Sequence, residues 1–490
     1  MAKSRFAPTA PQTELSQHLL EHDLLRCRYL LTRAATTRLG LRDLANISEH
    51  RERFLAECHA AFKKAQHLLI ENALAIERYT ATLPKEKPGN SILQRKLAHW
   101  ARVIALFYDS FIWIAAGHDR SSATKVYKGP KYGNLTDQNI DSVLQLTTTM
   151  NAEPQQFAIP LDFSRFACVC DLLLLTTTEG QGTTTFIEVK EGTANAALFQ
   201  AKEQNTIDAY LAYITEYGEK GIKQAERCFR QEKALHERTN IFRAPPGTYH
   251  QGDEVHTVLQ PNVEYKYFHE TIEELLKNAR NGEYAAELID HCLVVAALDT
   301  SARERHALAE YNARVLAYEA FLRNHATPLP DTDDLVNELT KIPFTDWLEG
   351  MGSIFLTPPP LGPLGSRSLF DLLFGRIRLL AHFDAPRFLA HCRAAGIEAG
   401  FISKRRTNQL KGAGRLKDYP IHNGRALGYL ANQRSMIMGS AKIHEMLYNW
   451  VRPQAIIQEL AVTIELLKHA EQDHEAHLTP AYATSDLEFP

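Results

Sequence analysis

The sequence predicts an α/β fold, in which a mixed sheet flanked by helices follows a helical N-terminal region and precedes an α+β C-terminal accessory domain. Three observations carry this reading. Apolar residues recur at helical spacings of four and seven through residues 14–82. The stretch 166–192, FACVCDLLLLTTTEGQGTTTFIEVKEG, switches to short apolar and β-branched runs around a turn. Beyond Pro328 and Pro330 the texture changes again, with Pro358-Pro359-Pro360, Gly362, Pro363 and Gly365 between helical patterns.

In chain order, residues 1–13 carry no pattern. Leu15, Leu19, Leu20 and Leu24, then Phe54, Leu55, Ala61, Phe62, Leu68, Leu69 and Ala73, predict two or three helices that serve as a cap or dimerisation element. Pro84 and Pro88-Gly89 mark a boundary. A strongly apolar helix is expected over 91–117, capped by Ser91 and stopped by Gly117. It carries Asp109 among aromatics and ends at His118, Asp119 and Arg120. Residues 123–160 read as a connection holding one short helix, 137–147. Helical spacing resumes over 193–232, where Ala197, Leu198, Ala201, Tyr210, Leu211 and Ile214 can cover a sheet. Residues 238–263 read as loop, 265–282 as helix, 291–298 as a buried strand able to extend the same sheet, and 301–324 as helix. The C-terminal part predicts helices over 369–380, 385–395 and 441–450, a strand at 401–406 and a loose tail after His474. The expected divisions are thus a helical region 1–90, a core domain 91–326, an accessory domain 327–474 and a tail 475–490.

The stretch 166–192 carries the chemistry. Residues 166–175 form one apolar run with Asp171 inside it, and a buried carboxylate is costly unless something compensates it. Residues 183–189 form a second strand. If the hairpin turns about Glu179-Gly180, Asp171 falls opposite Glu188. Side chains alternate along a strand, so Glu188 and Lys190 share a face about 7 Å apart, and Asp171 joins them. Cys170, Leu172, Ile187 and Val189 fall on the other face, as core. Like charges directly opposite one another destabilise a sheet. Two opposed acids with a lysine beside them therefore point to a divalent cation.

A strand Asp, a loop, and Glu-x-Lys on the next strand resemble the PD-(D/E)xK, or restriction-endonuclease-like, nucleases. The resemblance covers roughly residues 92–215, and the following helix fits the order of that core. It departs at one position, where Cys170 rather than proline precedes Asp171. The resemblance implies a restriction-endonuclease-like core and metal-dependent hydrolysis of phosphodiester bonds. It implies Mg²⁺ or Mn²⁺ bound by Asp171, Glu188 and the Val189 carbonyl, with Lys190 orienting the attacking water. It also suggests Asp109, on the preceding helix, as a further metal ligand; a structural aspartate bonded to a neighbouring arginine or backbone group is the other reading. Gln204 or Lys202, on the following helix, are expected to approach a phosphate. DNA is the expected substrate, with RNA open, and modules of this kind resemble effectors of anti-phage defence. A protein that binds nucleic acid or holds a partner through the same fold, without cutting, is the alternative.

Composition bounds these readings. The chain has 490 residues, enough for several domains, and a formal net charge of −3, so nucleic-acid binding would need a local basic surface. The run Lys404, Arg405, Arg406, Lys411, Arg415 and Lys417 is the place to look, as a solvated loop or a nucleic-acid contact. Seven cysteines without a CxxC pair argue against a disulfide framework or a structural zinc site and fit a reducing, cytoplasmic setting. No apolar leader and no stretch long enough to span a bilayer is present, so no membrane association is expected. A homo-oligomer or partner protein is expected through the helical N-terminal or the C-terminal region. There is no GxxxxGK[ST], HExxH or GxSxG motif, so P-loop, zincin and serine-hydrolase chemistry are not indicated.

Overall fold

A computed structural model describes residues 16–35, 58–83, 88–115, 139–165, 170–178, 181–189, 193–243, 248–251, 254–257, 263–281, 285–300, 344–352, 357–412, 424–431, 434–473 and 487–488. The chain forms two compact units, Met1–His256 with Pro358–Leu361, and Thr257–Thr357 with Gly362–Pro490. The chain mixes helices with small sheets, and every pairing among the described strands is antiparallel.

In the first unit the helices are α1 (Gln17–Ala35), α2 (His59–Thr82), α3 (Pro88–Ala115) and α4 (Asn139–Met150). They lead into a three-stranded sheet of β1 (Gln156–Pro160), β2 (Leu172–Thr178) and β3 (Gln181–Ile187), in that order. Then come α5 (Thr193–Gln204), α6 (Ile207–Arg243) and a hairpin of β4 (Thr248–Gln251) and β5 (Glu254–Thr257). α3 begins at Pro88, a residue already set at a helical φ, and not at Ser91. α6 is two helices joined at Gly218, whose φ of 58° and ψ of −146° suit only glycine.

The N-terminal helices are part of the core. Phe62 of α2 and Phe111 of α3 both pack on Phe157 of β1, with ring centroids 5.7 Å apart in each case. The free edge of β1 is closed by side chains. Gln66 donates to the Ala158 carbonyl at 2.9 Å, Asn151 accepts the Ala158 N–H at 2.6 Å, and the His59 ring meets the Gln156 carbonyl at 2.9 Å. A buried edge strand needs such partners, and here α2 supplies two of them. β1 itself lies where a connection was expected.

The second unit contains α7 (His269–Arg280), β6 (Ala285–Ile289), β7 (Leu293–Asp299), β8 (Thr345–Asp346), α8 (Ser366–Leu373), β9 (Ile377–Phe383), α9 (Ala385–Ala394) and β10 (Ala399–Ile402). It continues with α10 (Lys404–Gly412), β11 (Leu427–Ala431), β12 (Arg434–Ile437), α11 (Ser440–Tyr448), α12 (Pro453–Asp473) and β13 (Leu487–Glu488). One sheet runs β6-β7-β9-β8 and the other β12-β11-β10-β13. The buried strand near 291–298 is β7. It joins the second unit's sheet rather than extending the first. The expected helix over 369–380 is α8 followed by β9, because Gly375, at φ 66°, turns the chain between them. The basic run, read as a strand and loop, begins as helix α10, while Arg415 and Lys417 lie outside the described residues. In the tail, Leu487 and Glu488 pair with β10. The expected helix over 301–324 also lies outside the described residues.

Candidate metal and nuclease site

The hairpin has the register its sequence specifies. Leu172 pairs with Ile187, Leu175 with Thr184 and Thr178 with Gln181. Asp171 and Glu188 are the next residues past the Leu172–Ile187 pair, at the open end of the ladder, and both are half-buried. Leu173 and Phe186 follow them on the same face by alternation and are buried, as are Cys170 and Leu172 on the opposite face. The face bearing the acids is therefore polar only at its end. Further along it is core, where Phe157, which pairs with Leu175, meets Phe62 and Phe111.

Both carboxylates are held by protein donors. The Val189 backbone N–H donates to Asp171 Oδ2 at 2.5 Å, and the Asp171 carbonyl accepts the Leu161 N–H at 2.8 Å. Gln231 Nε2, from α6, donates to Glu188 Oε1 at 2.9 Å. The adjacent Cys170 reports their joint field. Burial pushes its thiol well above the usual range, and the charges of Glu188 and Asp171 push the same way. The thiol remains a donor, to the Leu172 carbonyl at 3.1 Å.

The other candidates are placed differently. Asp109 is fully buried on α3 and closed off by its neighbours. Its Oδ1 accepts the Ser164 hydroxyl at 2.8 Å and the Arg165 N–H at 3.1 Å, and its Oδ2 accepts Arg165 Nε at 2.5 Å. Burial pushes this carboxyl up, opposed by the Arg165 guanidinium. A carboxylate with both oxygens so committed is an anchor for the turn after β1, as the alternative reading of Asp109 had it. Lys202 is ion-paired with Glu232 of α6, and Gln204 is exposed at the end of α5. Lys190 lies outside the described residues, as do His118, Asp119 and Arg120. The apolar residues expected to roof the sheet pack helix on helix instead. Leu198 and Ala201 of α5 meet Tyr213 of α6, with Ala197, Tyr210 and Ile214 around them, while Leu211 is 53 % exposed.

Gln231, the partner of Glu188, is a residue that the sequence did not disclose. It is separated from Glu188 by 43 positions and sits in a helix rich in charge, so no local pattern marks it. Among the described residues no three His, Cys, Asp or Glu side chains converge as a metal-ligating group. What the hairpin end offers is two carboxylates, those of Asp171 and Glu188, just past the Leu172–Ile187 pair. Carboxylate oxygens are the donors that Mg²⁺ and Mn²⁺ prefer. No helix among the described residues is long and apolar enough to cross a membrane. No protein-family model matches the chain, and neither a curated protein nor a solved structure matches it.

Proposed function

We propose that this chain is a Mg²⁺- or Mn²⁺-dependent nuclease of the PD-(D/E)xK type that hydrolyses phosphodiester bonds in DNA. One observation carries the reading: the hairpin register brings Asp171 level with Glu188, two positions before Lys190, at the open end of a buried ladder. A helix, α5, follows the hairpin, as the resemblance implies.

Asp171, Glu188 and the Val189 carbonyl would hold the cation. When bound, it supplies positive charge to the scissile phosphate and acidifies a water molecule. The protein's own groups supply the rest. Gln231 positions the Glu188 carboxylate by donating to its Oε1. The Val189 N–H donates to Asp171 Oδ2 and ties the two strand ends together. Lys190 is assigned the water-orienting and charge-stabilising role.

The non-cutting alternative draws on the same hydrogen bonds, since each carboxylate has a protein donor without any cation. Plasmid DNA incubated with purified protein and Mg²⁺ or Mn²⁺ separates the two. The nuclease reading expects nicking or linearisation that falls at least about 100-fold in Asp171→Ala and Lys190→Ala. A plasmid left equally intact by wild type and both variants supports the binding or scaffold reading.

A further inference from the structure

The geometry points to a second nucleic-acid contact in this chain: we propose that the exposed face of α10 grips the phosphate backbone of double-stranded DNA, independently of cleavage. The face is defined by the helix itself. Lys404, Asn408 and Lys411 follow spacings of four and three and so lie along one line, with Arg405 and Gln409 along the next. All five are exposed. Thr407, at 0 % exposure, and Leu410, at 2 %, form the opposite, buried face.

The helix is seated firmly on its sheet. Thr407 Oγ1 donates to the Ile402 carbonyl at 3.3 Å and accepts the Ala426 N–H at 3.2 Å, while the Ile402 N–H donates to the Ala426 carbonyl at 2.8 Å. These bonds clamp α10 between β10 and the segment leading to β11. That segment adds charge at the start of the helix, where Arg425 lies over the Phe401 ring, 6.0 Å from its centroid. Gly424 stands beside Lys404: a Cβ on it would lie 4.0 Å from the Lys404 side chain.

Among the described residues, three cations of α10 are left without a carboxylate partner. No residue of α10 is acidic, and among the described residues no carboxylate pairs with Lys404, Arg405 or Lys411. A chain of net charge −3 has no global attraction for a polyanion, so three unneutralised cations within two turns form a local attractor. The residue types favour DNA over a general anionic surface. Lys and Arg meet phosphates, and the interleaved Asn408 and Gln409 are amides able to hydrogen-bond phosphate oxygens or base edges. A helix fits the major groove of B-form DNA, whereas that of duplex RNA is too narrow for side chains to read.

The test is binding of a labelled DNA duplex to the full-length protein in EDTA, read by fluorescence anisotropy across a salt series. EDTA removes cleavage, so failure here is separate from failure of the nuclease reading. The triple variant Lys404→Gln, Arg405→Gln, Lys411→Gln is expected to bind about 10- to 100-fold more weakly. The slope of log affinity against log salt should become shallower by about 2 to 3, near one per lost phosphate contact. The charge-conserving triple variant Lys404→Arg, Arg405→Lys, Lys411→Arg is expected to retain binding, which separates lost charge from lost fold. The proposal is overturned if wild type binds no duplex, or if the neutral triple variant keeps the wild-type affinity and salt slope. It is overturned equally if duplex RNA competes as well as DNA, or if the triple change abolishes pelleting with phosphatidylglycerol vesicles and leaves duplex binding intact.

Discussion

Gln231 donates its side-chain N–H to Glu188 Oε1 at 2.9 Å, which ties the middle of α6 to the open end of the β2–β3 hairpin. In the proposed site this makes Gln231 a positioning residue for a metal ligand. Gln231→Ala is expected to raise the Mg²⁺ concentration needed for half-maximal cleavage by about 10- to 100-fold. Stability should fall by about 1 kcal/mol or less, because Gln231 is only half-buried. Cleavage rates measured against Mg²⁺ concentration decide the matter. A lowered rate at saturating metal with an unchanged half-saturation point would contradict a role through Glu188.

The buried pair of Asp109 and Arg165 makes a prediction about stability. Asp109→Asn removes the buried carboxylate charge that faces the Arg165 guanidinium, itself 6 % exposed. The expected loss is about 3–5 kcal/mol, measured by urea denaturation. A loss below about 1 kcal/mol would mean that the pair does not anchor the turn after β1.

A pH dependence follows from His391 of α9, whose ring centroid lies 6.4 Å from that of His291. Burial holds its imidazole below the ordinary value of 6.5, with His291 and Arg387 pushing the same way and Asp290 and Asp384 opposing. The folded state therefore binds fewer protons here than the unfolded chain. This contribution to stability is complete above the unfolded value of 6.5 and is lost as pH falls through the lower folded value. Melting curves at about pH 7.5 and about pH 5.5 should show a loss on acidification that is smaller in His391→Gln. An identical pH dependence in the two proteins would remove His391 from the account.

How far the sequence disclosed this arrangement depended on the range of the interaction. The register of β2 and β3 was readable because it is local: the apolar and β-branched runs are symmetric about Glu179-Gly180, and one turn sets every pair. α3 and α9 were readable for the same reason. β9 was not, because Leu369, Leu372, Leu373, Leu379 and Leu380 sustain a helical spacing through the turn at Gly375. α10 was missed because its nine residues bury only Thr407 and Leu410, too few to set a period. The side-chain partners of Asp109 and Glu188 are distant in the chain. Arg165 lies 56 positions from Asp109, and Gln231 lies 43 from Glu188. No propensity or spacing encodes such pairs.

Direct titration of the purified protein with Mn²⁺, followed by the electron paramagnetic resonance signal of the free ion, asks whether the two strand ends hold a cation. The account predicts saturable Mn²⁺ binding by wild type, competed by Mg²⁺ and lost in Asp171→Ala and in Glu188→Ala, with Asp109→Asn retaining it wherever that variant is folded. Equal Mn²⁺ binding by wild type and both hairpin variants, or no saturable binding by wild type, would contradict it.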